Sequence, residues 1–312
     1  MHSVLWPDGV WSYNRCMHIA EVMRTRRPTF SLEFFPPKSP KGWERLFRVI
    51  SGFEKLGPDF ISVTYGAAGS TREQTNELVR RVSVETSLNV VAHLTCICHT
   101  RVDVDRILDS YASLGIGGIM ALGGDAPPAL AECYTEYDHA VDLVRQIRAY
   151  GATGKHPGGG FGIGVAGFPE GHPATPNRVL EIQYLKEKVD AGADYICTQL
   201  FFENRDFYDF RERCAIAGIS VPIVAGIMPV TSRASYERIP NLALGSRYPS
   251  ELIRMIGPLT SDDDIEKAGV EWTTRQCEDL LTNGVDGIHF YTLNRSRAVR
   301  SIWNAVAPTP EG

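Results

Sequence analysis

Residues 29–65 read TFSLEFFPPKSPKGWERLFRVISGFEKLGPDFISVTY, and two periodicities in that stretch decide the fold. Thr29–Phe35 and Phe60–Tyr65 are short runs rich in Phe, Val, Ile and Thr, the composition of buried strands. Between them Trp43, Leu46, Phe47 and Ile50, then Phe53, give the i, i+3, i+4, i+7 stripe of a helix packed on a sheet. Strand, helix and strand in this order is the repeating unit of a parallel α/β fold.

Working outward, the unit recurs. Further strands are predicted at Val90–Thr95, Gly118–Leu122, Gly162–Gly167, Tyr195–Phe201, Pro222–Ile227 and Gly287–Thr292. Helices are predicted at Trp43–Leu56, Thr71–Val84, Val102–Leu114, Tyr137–Tyr150, Asn177–Ala191 and Arg205–Ala217. Eight strands alternating with helices, with no second run of strands, point to a closed (β/α)8 barrel. An open dinucleotide-binding sheet would need G-x-G-x-x-G after its first strand, and none is there. The barrel is expected over residues 28–312, with residues 1–27 an N-terminal extension that is partly helical near Arg15–Arg24. Gly151–Gly162 reads as a flexible connection. Ser232–Asp264 is long enough for one or two extra helices, the acidic run after Ser261 capping the helix that follows.

Composition narrows the class. Of 312 residues, 43% are hydrophobic and 22% charged, with a net charge of −5. That balance, without a basic stripe, argues against nucleic acid or an acidic membrane as partner. No apolar run reaches the ~20 residues that span a bilayer, and Met1–Arg15 lacks the apolar centre of a signal peptide. Seven cysteines with no C-x-x-C pair suggest reduced thiols in the cytoplasm. Cys96, Cys98 and His99 look metal-like, but no second ligand pair matches them, and no metal is expected.

Barrel chemistry belongs where strands run into the following loops. The first strand carries Glu33 between Leu32 and Phe34. Apolar neighbours would raise its pKa towards neutrality, as suits a general acid; an arginine-paired structural role is the alternative. The second strand ends in Thr64, Tyr65, Gly66 and Ala67, small enough beyond the tyrosine to admit a planar ligand. His93 lies on the third. The fourth runs into Gly123, Gly124 and Asp125, where a carboxylate can stabilise a cation or hold a heterocycle donor. The fifth presents Phe168 and His172 on a proline-stiffened loop. The sixth offers Gln199 beside Phe201 and Phe202, an amide with rings that can stack.

These segments together resemble the methylenetetrahydrofolate reductase family. The matching stretches are Phe30–Pro37, Ser62–Ala67, Ala92–Cys96, Ala121–Asp125, Pro169–Pro173, Leu185–Asp194, Thr198–Phe202, Gly226–Val230 and His289–Arg295, collinear from Pro28 to Ala305. Nine in order are specific where each alone is not. The resemblance implies an FAD-containing barrel that interconverts 5,10-methylenetetrahydrofolate and 5-methyltetrahydrofolate, with NAD(P)H as electron partner. It implies that Glu33 is the general acid opening the folate imidazolidine ring, and that Asp125 stabilises the resulting cation. Gln199 would hold the pterin and Arg295 the folate tail. Flavin contacts would come from Thr64, Tyr65, Ala67, His93, Gly123, Gly124, Asp125, His139, Ala140, Phe168, His172, Glu181, Tyr184 and Lys188. A cytoplasmic homo-oligomer acting on small molecules is expected. A folate-binding or methyl-transfer barrel without flavin is the alternative reading.

The chain also departs from the family pattern. Gly123 stands where an arginine is usual, Phe168 where a tyrosine is common, and Arg233 aligns with an aromatic near the folate loop. Glu187 and Tyr184 fall where bacterial relatives often carry other side chains. Altered use of the nucleotide, with flux towards methylene-folate, is the expectation that these changes raise.

Overall fold

Each apolar run marked in the sequence becomes a strand in the computed structural model, which describes residues 17–66, 72–124, 134–243 and 245–307. In chain order the elements are α1 (Ile19–Thr25), β1 (Thr29–Phe34), α2 (Pro40–Glu54), β2 (Phe60–Val63), α3 (Arg72–Glu85), β3 (Val90–Thr95), α4 (Arg101–Ser113) and β4 (Gly118–Leu122). There follow α5 (Ala140–Gly151), β5 (Gly162–Gly167), α6 (Arg178–Asp190), β6 (Tyr195–Thr198), α7 (Asn204–Ile216), β7 (Ile223–Ile227), α8 (Arg233–Leu242), α9 (Ser250–Ile256), α10 (Asp262–Thr282), β8 (Gly287–Tyr291) and α11 (Arg297–Val306). The strands are hydrogen-bonded in sequence order, and β8 closes on β1. All eight pairings are parallel.

Strand side chains alternate between faces. On β1, Phe30, Leu32 and Phe34 turn outward into the main core under the helices. Thr29, Ser31 and Glu33 alternate with them and turn into the barrel. The interior is apolar at its N-terminal end, where Phe60, Val91, Met120, Tyr195 and Val224 meet Ile19, Val22 and Met23 of α1. The helical part of the N-terminal extension is therefore a plug in the barrel floor, with its Ile19 N–H bonded to the Gly117 carbonyl. Small residues make room for the large rings. A Cβ on Gly164 would stand 2.4 Å from Tyr195, and one on Gly226 would stand 2.7 Å from Tyr291.

A repeated device fastens strand starts at the floor. Asp59, Asp194 and Asp286 each precede a strand, and their carboxylates accept the N–H of Phe30 (2.7 Å), Ile163 (2.7 Å) and Ile223 (2.9 Å). Each also meets an arginine: Arg26, Arg148 and Arg27 respectively. The connection at residues 151–162, expected to be flexible, is anchored here by the buried His156, whose Nε2 lies 2.9 Å from the Ile116 carbonyl.

Other boundaries move for local reasons. Helix α2 begins at Pro40, three residues ahead of the apolar stripe, because Ser39 caps it and a first-turn proline needs no N–H partner. Strand β6 stops at Thr198, and Phe201 packs on Phe207 at 5.3 Å instead of continuing the strand. Ser261 starts α10 without a side-chain cap. Asp262 instead accepts the N–H of Arg233, tying α10 to α8. Cys98 is disulfide-bonded, against the expectation of reduced thiols throughout, whereas Cys96, Cys197, Cys214 and Cys277 are free.

Losing one floor clasp has a predictable cost. Asp194→Ala leaves the Ile163 N–H without its charged acceptor, a loss of about 2–3 kcal/mol. The urea midpoint is expected to fall with an unchanged slope. A midpoint equal to wild type would show that the clasp contributes nothing.

Candidate active site

The mouth of the barrel is built on two halves. On the first, Glu33 ends the inward row of β1 with its side chain 19% exposed. Its carboxylate Oε2 stands 3.5 Å from His93 Nε2 of β3 and 4.0 Å from His289 Nε2 of β8. Among the described residues, no lysine or arginine reaches it. This corrects the environment expected from sequence: Leu32 and Phe34, which flank Glu33 in the chain, lie on the opposite face of the strand. The acid is surrounded by imidazoles and hydroxyls, not by a nonpolar wall. Burial lowers the pKa of His93, Glu33 opposing that effect, and His93 Nε2 has no hydrogen-bond partner.

Beneath Glu33, the buried His289 has Ser31 Oγ 2.7 Å from Nδ1 and Ser62 Oγ 3.2 Å from Nε2. Sequence reasoning missed this group. The signal was present in Gly287-Ile288-His289-Phe290-Tyr291, where alternation sets glycine, histidine and tyrosine inward. The same half carries Gln199 and Arg295. Gln199 Oε1 accepts the Leu200 N–H at 2.9 Å, which leaves the amide NH2 free to donate. Arg295 lines a cavity of about 60 Å³ with Met228, Thr231, Tyr291 and Leu293. Phe201 and Phe202 are buried in the core, so neither ring stacks at the mouth.

The second half gathers on β5, α5 and α6. His139, exposed at the start of α5 beside Ala140, lies nearly flat against Tyr184 of α6 with centroids 6.0 Å apart. Phe168 meets His172 edge-on at 4.6 Å. Glu181 is buried, accepting the His172 N–H at 2.7 Å and pairing with Arg178 at 3.2 Å. Its carboxylate therefore positions the His172 loop. Arg247 fastens that loop from the far side, bridging Glu170 and Asp206. Lys188 donates from Nζ to the Ala166 carbonyl at 3.1 Å, and burial draws its ammonium down to about 8, only partly opposed by Glu181. Among the described residues it has no carboxylate at ion-pair distance.

Other predicted residues fall in different places. Thr64 sits at the rim, its N–H bonded to the Phe34 carbonyl. Tyr65 turns its ring into the core, its hydroxyl 3.0 Å from His99 and its pKa pushed up by burial to about 12. A Cβ on Gly123 would meet nothing within 4 Å among the described residues. Gly124 has φ +85°, and a Cβ on it would stand 2.5 Å from Ile97. Asp125 and Ala67 lie outside the described residues. Arg233 does not face the mouth: its guanidinium takes the carbonyls of Ile256, Gly257 and Leu259, capping α9. Cys96 Sγ donates to Gly123 O, and His99 Nδ1 lies 2.8 Å from Ile97 O. Among the described residues no three metal-ligand side chains cluster, and no helix is long and apolar enough to cross a membrane.

Fold and site together define a (β/α)8 barrel whose functional groups collect at the rim where barrel enzymes hold theirs. The family model for methylenetetrahydrofolate reductase matches residues 18–307, and the chain belongs to that family. It is 36% identical to methylenetetrahydrofolate reductase (NADH) 1 of Arabidopsis thaliana, over 91% of this chain and 49% of the plant protein. It is 34% identical to 5,10-methylenetetrahydrofolate reductase of Salmonella typhimurium, over 90% of this chain and 91% of the bacterial one. The chain thus spans about half the length of its plant relatives and most of the bacterial length. A solved structure from Clostridium thermocellum, described as binding two copies of 5-methyl-5,6,7,8-tetrahydrofolic acid, shares the fold with a TM-score of 0.63. It is 14% identical and covers 92% of this chain and 96% of its own.

Lys188 gives a prediction with a definite sign. From pH 8 toward its ordinary 10.5, the unfolded chain holds a proton that the folded chain has lost, so stability rises with pH. Below pH 8 both states are charged and the burial penalty stands in full. Lys188→Met is expected to raise the urea midpoint at pH 7, the gain shrinking as pH climbs above 8. Equal gains at both ends of that range would exclude the ammonium as the cause.

Proposed function

We propose that this chain interconverts 5,10-methylenetetrahydrofolate and 5-methyltetrahydrofolate, using bound FAD and NAD(P)H as the electron partner. The observation that carries the reading is Glu33: an inward carboxyl at the mouth with two imidazoles beside it and, among the described residues, no cationic partner. A carboxyl so placed can release and regain a proton, whereas one locked to a guanidinium stays an anion. Family membership supports 5,10-methylenetetrahydrofolate as one member of the pair, the compound that the bacterial relatives' name carries.

The side chains present fit a flavin dinucleotide. Lys188 is a half-buried cation without a carboxylate at ion-pair distance among the described residues, and His139, Tyr184, Phe168 and His172 offer ring surfaces. Gly124 keeps the rim of β4 free of side chain, and His93 brings a buried ring nitrogen without a partner. These residues, with Thr64, Ala67, Gly123 and Ala140, would hold the cofactor. Tyr65 and Glu181 act behind them, through His99 and the His172 loop. When bound, FAD supplies or accepts the hydride.

The chain's own groups do the rest. Glu33 delivers its proton to the departing imidazolidine nitrogen; that C–N bond breaks and an iminium cation is left on the pterin. Asp125, by resemblance, stabilises the cation. The free Gln199 amide donates to the pterin edge, and Arg295 meets the carboxylate tail. With Gly123 in place of an arginine, nicotinamide nucleotides reduce the flavoprotein slowly and flux runs towards methylene-folate. Fast bleaching of the flavin band on rapid mixing with NADH or NADPH would overturn that part.

The whole reading is tested by anaerobic titration of the purified protein with 5-methyltetrahydrofolate, which is expected to bleach the flavin. A colourless protein that cannot be reconstituted with FAD but binds methyl-folate would favour a non-redox folate barrel. Glu33→Gln is expected to leave flavin bound and reducible, while folate turnover falls by roughly 10²–10⁴. Near-normal turnover would remove Glu33 from its role.

A further inference from the structure

We infer that Glu33 acts as one hydrogen-bonded unit with His289, which Ser31 and Ser62 hold as the positioning residue of the acid. The inference rests on the reading of Glu33 given above. It begins from register: Ser31 pairs with His289 across the β1–β8 seam, and Glu33 pairs with Ser62 across β1–β2. Three inward polar side chains from three adjacent strands are thereby stacked directly under the acid.

Packing alone gives no reason for an imidazole there. His289 is 1% exposed, lies flat on Phe60 at 5.8 Å and meets Tyr291 edge-on at 5.4 Å. A buried polar ring is costly unless both nitrogens are satisfied, and an aliphatic side chain would fill the space. Both nitrogens are in fact engaged, with Ser31 Oγ at 2.7 Å from Nδ1 and Ser62 Oγ at 3.2 Å from Nε2. The Ser31 hydroxyl has two acceptors in reach, His289 Nδ1 at 2.7 Å and the Ile288 carbonyl at 3.4 Å; given to the nearer one, its proton selects the tautomer that carries its hydrogen on Nε2. That hydrogen faces Ser62 and, 4.0 Å away, Glu33 Oε2. A small swing of the carboxylate brings the two into contact.

The consequence follows the proton. As Glu33 protonates the folate nitrogen, its O–H bond breaks, the new N–H forms, and negative charge collects on the carboxylate. The Nε2–H of His289 then donates to that charge and keeps Oε2 aimed. Solvent at the mouth later restores the proton to Glu33. The titratable groups facing the pair are His93 from β3, Cys197 and Tyr195 from β6, and Tyr291 from β8. Burial lowers His93, raises Cys197 to about 12 and holds both tyrosines well above their ordinary range, so all four remain neutral near pH 7.

The test uses the flavin-loaded protein and follows the two half-reactions separately. His289→Leu is expected to slow methylene-folate reduction roughly 10- to 100-fold, the loss of one hydrogen bond to a charged group. It should also move the Glu33 limb of the pH profile up by about one unit. Flavin reduction by NADH or NADPH should be unchanged within twofold. His289→Gln, which keeps an N–H donor, should recover part of the rate. Ser31→Ala should shift the profile in the same direction by less, and it serves as the test if His289→Leu fails to fold. A profile superimposable on wild type in the folded variants, while Glu33→Gln abolishes turnover, overturns the inference and leaves the acid assignment standing. Normal turnover in Glu33→Gln overturns both.

Discussion

The seam where β8 returns to β1 sets the geometry of everything at the mouth. It is a ladder of backbone hydrogen bonds whose register pairs Thr29 with Gly287, Ser31 with His289 and Glu33 with Tyr291. Side-chain bonds extend it past the strand ends. Thr292 donates to the Glu33 carbonyl at 2.6 Å, and Asn294 bonds both the N–H and the carbonyl of Phe35 at 3.0 and 2.8 Å. Leu293 and Asn294 both take positive φ, 48° and 57°, to make that turn. Such a backbone is unfavourable for a leucine and persists because the clasp on Phe35 over-determines it. A slip of one residue would exchange the inward and outward sets, sending Glu33 into the helix layer and Phe34 into the barrel.

That parity explains which parts of the molecule were legible. The eight strands could be read because their apolar outward residues must meet helices that carry their own apolar stripes. Glu33 could be singled out as an acid in an apolar run, but its surroundings were misread. Neighbours in the chain lie on opposite faces of a strand, so Leu32 and Phe34 say nothing about what the carboxylate touches. Those contacts come from β2, β3 and β8, which only the closed register identifies. His289 was overlooked for the same reason, although its alternating pattern was present. Tyr65 and Phe201 illustrate the converse: an aromatic just beyond a strand can serve the core as readily as a ligand. Arg233 sits at an alignment position beside the folate loop, yet the open carbonyls at the end of α9 claim its guanidinium.

The two halves of the mouth differ in electrical character. On the β4–β6 side the half-buried Lys188 has no carboxylate at ion-pair distance among the described residues, and the same side carries the ring pairs His139–Tyr184 and Phe168–His172. On the β1–β8 side the Glu33 carboxyl stands beside the imidazoles of His93 and His289. A site divided in this way favours anionic groups on one side and proton-accepting groups on the other. Gly123 lies on the cationic side, and a Cβ there would meet nothing within 4 Å among the described residues.

Along the barrel axis the interior changes from apolar to polar, and this gradient confines the chemistry to one end. At the floor α1 contributes Ile19, Val22 and Met23 to a packed plug, and three aspartates bind strand starts. One level higher lie Ser31, Ser62 and His289, and above them Glu33 and His93. Ser31, Ser62 and His289 satisfy one another, whereas His93 Nε2, Thr95 Oγ1 and the Tyr195 hydroxyl have no hydrogen-bond partner among the described residues. Buried polar groups are costly when left unpaired. The packed floor leaves Glu33 near the open end of the barrel, with Ser31, Ser62 and His289 as its polar neighbours on the floor side.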